Sequence, residues 1–300
     1  MAVAAPPKAP SGPGRRISAG LFRHRGIKLA LILGTPLLWM LVVYLGALVF
    51  LFVSAFWRLD PFSGLVMKEF GFTNFETLWR EEIYRTITLR TLKIAATTTI
   101  LDVVLAFPLA YYAARVVRPR FRNPLLIAIV IPLWVSYLVR VFAWRLILTP
   151  DGFLNWLVEA TGIGSLEIGS SEVALLLVYA YLWLPFMVLP IYTALERIPG
   201  SHLEASQDLG AKGLRTFVHV VWPLTLPGIV AGSIFTFSLT LGDYIAPSLV
   251  GNTKFIGNVI YDSVGIANNV PLGAAFALVP VVIMGVYLFV AKRMGAFEAL

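Results

Sequence analysis

The sequence predicts an all-α, polytopic membrane protein with six transmembrane helices and both termini on the cytoplasmic side. Three observations carry that prediction. The 300-residue chain is 58% hydrophobic and only 13% charged, with a mean hydropathy of +0.82, whereas about one residue in four is charged in a soluble domain. Six apolar runs each reach the roughly 20 residues needed to cross a hydrocarbon core. Lysine and arginine are unevenly divided between alternate loops.

The elements follow in order. Residues 1–27 are rich in Pro, Gly, Ala and basic side chains. They hold too little apolar surface to fold alone and are expected to be a disordered cytoplasmic tail; residues 28–295 form the transmembrane domain. The spans are expected at about 29–57, 87–114, 124–148, 172–195, 227–250 and 272–291, all helical because lipid offers the backbone no hydrogen bonds. The first is too long for a signal-peptide core and is expected to be retained. The outward loop 58–85 mixes aromatics with Glu69, Glu76, Glu81 and Glu82 and suggests a short interfacial helix. Loop 149–171, with Gly152, Gly162, Gly164 and Gly169, suggests a re-entrant or surface-packed turn. Pro36, Pro108, Pro132, Pro185, Pro190 and Pro280 lie inside spans, where each removes a backbone bond and tends to kink its helix.

Fifteen basic residues lie in the tails and loops on the side of the N-terminus, against five on the other. The positive side is the cytoplasmic one, so the net charge of +8 is mostly topology. Arginines scattered over loops do not make a nucleic-acid surface. The absence of cysteine excludes disulfides and thiolate sites. No G-x-x-x-x-G-K-[ST], H-E-x-x-H or G-x-S-x-G occurs, and the three histidines, His24, His202 and His219, all fall on the cytoplasmic side. The chain therefore lacks a nucleotide-binding phosphate loop and the signatures of an intramembrane hydrolase.

The cytoplasmic segment 197–226 is far longer than most connections. Ser201 followed by Glu204 has capping-box spacing, and Gly210 is placed to end that helix in the left-handed conformation. A second short helix is expected from Gly213 to Val221, stopped before Pro223. Two defined helices at a bend suggest a docking element.

An ionisable group inside a span costs at least about 2.5–3.5 kcal/mol and is a functional candidate by default. Asp102, Arg140, Arg145 and Asp243 stand out; Arg90 and Lys93 lie nearer the outer end and can snorkel. At about 1.5 Å per residue, Arg140 and Asp243 each sit about 24 Å in from the cytoplasmic starts of their spans, near enough in depth to be neighbours. Two readings follow. Asp243 faces the pathway and offers a carboxylate to a cationic amine, with Tyr244, Trp183, Tyr181 and Tyr137 supplying cation–π faces; or it pairs with Arg140 as a structural bridge. Asp102, a further pathway candidate, also reads as a buried acid hydrogen-bonded through Thr97 to Thr99. An ion-coupled secondary carrier is the alternative from another class: the intramembrane acids permit it and the docking segment opposes it.

That segment also resembles a known family. Glu204-Ala205-Ser206, three residues, Gly210, nine residues, then Val220-Val221-Trp222-Pro223 is similar to the EAA loop of binding-protein-dependent ABC importer permeases. There the pattern is Glu-Ala-Ala, three residues, Gly, nine residues, Ile, one residue, Leu-Pro. This chain departs from it at Ser206, Val220 and Trp222. "PLWVSYLVRVFAW" (132–144), "YLWLPFMVLPIYTALERIP" (181–199), "PLTLPGIVAGSIFTF" and "GDYIAPSLVG" are similar to the spermidine/putrescine branch, over roughly residues 90–290. The resemblance implies a type I importer permease fold in the cytoplasmic membrane of a bacterium. It implies a pore shared with a sister permease, two cytoplasmic ATPases that carry ATP and Mg, and an extracytoplasmic binding protein. This chain itself would hold no cofactor or metal. Glu204, Ala205, Ser206, Asp208, Gly210, Ala211, Phe217 and Pro223 would then be the ATPase-coupling residues. Relatives of the same architecture carry opines, sulfate, thiamine or iron, which leaves the solute open among these.

Overall fold

The computed structural model of the protein describes residues 25–162, 164 and 168–293. Most of the expected tail, residues 1–24, lies outside the described residues, as do 294–300. Two compact units are present, one up to Val53 and one from Ser54 onward. The first contains nearly all of α1 (Arg25–Ser54), apolar on every side and interrupted by one proline, Pro36, as a lipid-facing span is. Residues 25–27, assigned above to the tail, already belong to this helix.

The second unit opens with an outer hairpin, β1 (Arg58–Leu59) antiparallel to β2 (Val66–Met67). Its turn is held by Asp60, which accepts from Phe62 N–H, Ser63 N–H and the Ser63 hydroxyl. The Ser63 hydroxyl and the Phe62 amide hold the Asp60 carboxyl below the usual range. Helix α2 (Thr73–Arg80) occupies the place where a short outer helix is expected.

Four long helices form the body: α3 (Glu82–Tyr111), α7 (Glu172–Arg197), α10 (Trp222–Gly242) and α13 (Val270–Arg293). With α1 they are five helices long and apolar enough to span. The third predicted span is not a straight helix. It is α4 (Pro119–Val130), a 3-10 turn (Ile131–Trp134) and α5 (Tyr137–Ile147), bent by 92°. Pro132 lies in the tight turn, and Val135 and Ser136 have extended backbones with ψ of 138° and 136°. This corrects the depth given above for Arg140, which assumed a straight rod from Pro124. The fifth span is also broken, after Gly242, where Asp243 is extended (ψ 140°). The outer loop after α5 folds back on it through α6 (Phe153–Glu159). A Cβ at Gly152 would lie 2.5 Å from the carbonyl oxygens of Leu146 and Ile147, so only glycine fits this surface-packed turn.

Helix α7 packs most extensively against α10 and α3. Gly228 and Gly232, four residues apart on α10, allow this: a Cβ on them would lie 2.6 Å from the Pro190 carbonyl oxygen and 2.7 Å from Met187 Sδ. Small residues at this spacing let helix backbones approach closely where lipid supplies no hydrophobic drive. Three large buried apolar clusters, with a smaller one at Val230 and Ala291, are found among the described residues of the unit. The large ones centre on Phe107, Met187 and Leu195; on Leu175, Leu182 and Phe255; and on Phe237, Ile256 and Phe276.

Candidate functional site

Two junctions flank one continuous rod and are named inner and outer after the orientation expected from the loop charges. It comprises α9 (Gly213–Thr216), a π-turn (Phe217–Val221) and α10, 30 residues in all, or about 45 Å at 1.5 Å per residue. The expected stop before Pro223 is not observed. Pro223 lies directly after the π-turn, whose wider bonding, Trp222 N–H to Phe217 O, carries the helix past a residue that cannot donate.

At the inner junction, α8 (Gly200–Asp208) precedes the rod. Its N-cap is Pro199, with no side-chain cap, so the expected Ser201–Glu204 capping box does not form. The chain leaves α7 through Ile198 and Pro199 in extended conformations, and Ser201 is already inside the first turn. The other end is as expected. Gly210 has φ +78°, Gly210 N–H donates to Gln207 O and Ala211 N–H to Ser206 O, the two bonds of a Schellman motif. Ser206, where the family pattern has alanine, shares a 2.9 Å hydrogen bond with the Thr216 hydroxyl. Glu204, Ala205 and Asp208 are exposed, with Leu209 (88%) and Leu214 (78%) beside them. Phe217 packs with Phe107 and Trp222, so the tryptophan that departs from the family pattern joins an aromatic cluster at the inner end of α3.

Two arginines assigned above only to topology are structural here. Arg115 donates to the carbonyl of Ile198 at 2.6 Å and to that of Leu195, which also accepts from Ile198 N–H, so the guanidinium clasps the last turn of α7. Arg122 pairs with Glu196 at 3.2 Å and donates to Ala114 O. Arg90 and Lys93 of α3 both pair with Glu172 in the first turn of α7.

The outer junction is built around Asp243. Its Oδ2 accepts from the Tyr137 hydroxyl (2.6 Å), the Tyr179 hydroxyl (3.0 Å) and Ala246 N–H (3.2 Å). Its Oδ1 accepts from Ile245 N–H (3.0 Å). The side chain thus opens α11 (Ile245–Leu249) while tying it to α5 and α7. Trp183 stacks on both tyrosines, at 5.8 Å and 6.3 Å. Behind the break, Gly257 of α12 (Ile256–Tyr261) sits so close that a Cβ would lie 2.7 Å from the Asp243 carbonyl oxygen.

Asp243 is held by tyrosine hydroxyls and backbone N–H groups rather than by Arg140: no ion pair between the two forms among the described residues, so the structural bridge to Arg140 is not observed. Arg140 is buried (9% exposed), and its Nε and Nη1 have no hydrogen-bond partner among the described residues. Of the aromatic candidates, Tyr137 and Trp183 join the cluster and Tyr244 flanks it, exposed and stacked on Tyr261 at 5.1 Å. Tyr181 does not join it; it packs on Trp144. Residues 179 and 183 share a helix face whereas 181 points away, and Tyr179, which belongs to the same aromatic run as Tyr181 and Trp183 in the sequence, makes the bond to Asp243. Asp102 is fully buried on α3 but not hydrogen-bonded as expected: both oxygens lack partners among the described residues. Thr97 and Thr99 turn their hydroxyls to Lys93 O and Ala95 O of their own helix.

Comparison with known proteins follows this geometry. The family described as "Binding-protein-dependent transport system inner membrane component" matches residues 106–297. The chain is 43% identical over 308 aligned residues, 98% of each chain, to the inner membrane ABC transporter permease protein YdcU of Escherichia coli (strain K12). It is 33% identical over 215 residues, 70% of this chain and 75% of the other, to the spermidine/putrescine transport system permease protein PotB of Haemophilus influenzae. Among solved structures it resembles a chain of a bacterial alginate ABC transporter in complex with alginate pentasaccharide-bound periplasmic protein (TM-score 0.73, 15% identity, 92% of this chain and 96% of the other). It also resembles a chain of the MetNI methionine ABC transporter (TM-score 0.55, 15% identity, 75% and 98%).

Proposed function

The chain belongs to the family of binding-protein-dependent transport system inner membrane components, and from that premise we propose that it forms half of the pore of an ATP-driven importer for a polyamine or a similar small organic cation. The observation that carries the substrate class is the outer break of the rod. There a carboxylate lies among Tyr137, Tyr179 and Trp183, with Tyr244 exposed beside it. Among the described residues Asp243 Oδ1 accepts one bond, which leaves it room for an ammonium donor, and the rings offer cation–π faces. The spermidine/putrescine permeases at 31–33% identity support the same class.

The remaining parts of the machine are inferred in the same way. A sister permease completes the pore, and an extracytoplasmic binding protein delivers the solute. Two cytoplasmic ATPases bring ATP and Mg and dock on α8 and the bend that follows it, where the exposed Leu209 and Leu214, beside Glu204 and Asp208 of α8, offer an apolar contact with an acidic margin. Both termini face the cytoplasm.

Uptake of labelled spermidine into proteoliposomes holding the whole transporter tests this. Uptake should require ATP and the binding protein, and Asp243→Asn should lower it at least about ten-fold, the worth of a charge-assisted contact, while the complex still assembles. Uptake driven by an ion gradient without the ATPase would overturn the transport reading. Equal loss for a neutral solute would overturn the cationic one.

A further inference from the structure

The inner junction raises a mechanical question: how displacement of α8 reaches the pore. Helix α8 ends at Gly210, and its backbone bonds there stay local, within residues 206–211. The rod begins at Gly213 and runs unbroken to Gly242. Among the described residues one side-chain hydrogen bond joins the two, Ser206 to Thr216 at 2.9 Å. Thr216 is 8% exposed and Ser206 half-buried, so water competes poorly for the bond. Leu203 and Phe217 pack in the same apolar cluster, which holds the helices together but, being non-directional, does not fix their angle.

We infer that the Ser206–Thr216 hydroxyl pair is the clip that passes a movement of α8 to the rod, making both positioning residues for coupling. Because Thr216 is a rigid part of the rod, a tilt of α8 carried by this bond moves an element about 45 Å long. The rod's far end is the Asp243 junction, where Tyr137 and Tyr179 hold α5 and α7. The clip thus lies on an uninterrupted path from the exposed face of α8 to the aromatic cluster. Thr216 lies outside the spaced residues that carry the family resemblance, and its role is visible only once the bend at Gly210 brings it back to Ser206.

This inference rests on the reading of α8 as the ATPase contact, and the experiment separates the two. In the reconstituted transporter three quantities are measured: ATPase retained on the permease, binding-protein-stimulated ATP hydrolysis, and spermidine uptake per ATP. Ser206→Ala installs the residue of the family pattern, so the fold is expected to survive. It and Thr216→Val should each lower uptake per ATP about three- to ten-fold, the range of one net hydrogen bond, with ATPase retention unchanged. Thr216→Ser should keep wild-type coupling, and the double variant should be no worse than either single one, since both remove the same bond. Unchanged uptake per ATP in both single variants, or losses that add in the double, overturns the clip. Leu209→Asp is the control for the premise: it should strip the ATPase. If it leaves ATPase retention intact, the docking reading fails whatever the clip variants do.

Discussion

The two ends of the rod solve the same problem, interrupting a helix at a defined angle, by opposite means. The inner junction is made within residues 198–216: a left-handed glycine, two backbone bonds and one hydroxyl pair. The outer junction is made by residues far apart in sequence. Asp243 draws Tyr137 from 106 residues away and Tyr179 from 64, and Gly257 presses backbone against backbone. A junction of local backbone bonds can change angle without disturbing the body, whereas one pinned from three helices moves only when those helices move. The inner end is accordingly suited to a moving contact, and the outer end to a latch that reports the arrangement of the whole pore.

The largest effect is therefore expected at the outer end. Asp243→Ala removes a carboxylate that takes four bonds and leaves the buried Tyr179 hydroxyl and two amides at the start of α11 without their acceptor. Breaking a buried charged network costs about 3–5 kcal/mol; because Asp243 is only half-buried, about 3 kcal/mol is expected. Tyr179→Phe loses one charge-assisted bond, about 1.5–3 kcal/mol. Thermal unfolding in detergent should rank the two in that order, and a Tyr179→Phe variant as unstable as Asp243→Ala would mean that the tyrosine, not the acid, organises the break.

Next comes Gly210. A Cβ there meets nothing within 4 Å, and the whole demand is on φ, +78°. Gly210→Val should cost about 1–2 kcal/mol through the left-handed conformation alone, and Gly210→Asn distinctly less, because asparagine tolerates that region. Melting of the full complex, with uptake per ATP, measures both; equal losses for the two variants would show that a missing contact rather than backbone geometry governs the bend.

What was legible in the sequence follows the same division. Straight spans, the short helix before Gly210 and the left-handed Gly210 itself rest on local chemistry and were readable. The 92° break of the third span was not, because Pro132 marks a weak point without saying that Val135 and Ser136 extend the chain beyond it. Pro223 reads as a stop by local rules, but the π-turn before it absorbs it and makes the expected second short helix the start of the rod. Tyr179 and Tyr181 are equivalent by composition, and only the helix face that meets Asp243 separates them. Arg115 counts as one more positive charge until the end of α7 comes close enough to receive it.

The smallest expected effect bears on the one local rule that misread the inner junction. By capping-box chemistry Ser201 is an N-cap whose loss costs about 1 kcal/mol. In the structure the N-cap is Pro199, and Ser201 is an exposed residue of the first turn. An exposed site with no fixed partner changes stability by less than about 0.5 kcal/mol, and alanine is the better helix former. Ser201→Ala should therefore leave melting and uptake per ATP unchanged, while Ser206→Ala, five residues on in the same helix, should lower coupling. A loss of stability near 1 kcal/mol for Ser201→Ala would place the start of α8 two residues later than Gly200 and restore the capping box; no change keeps the working hydroxyl of this helix at Ser206.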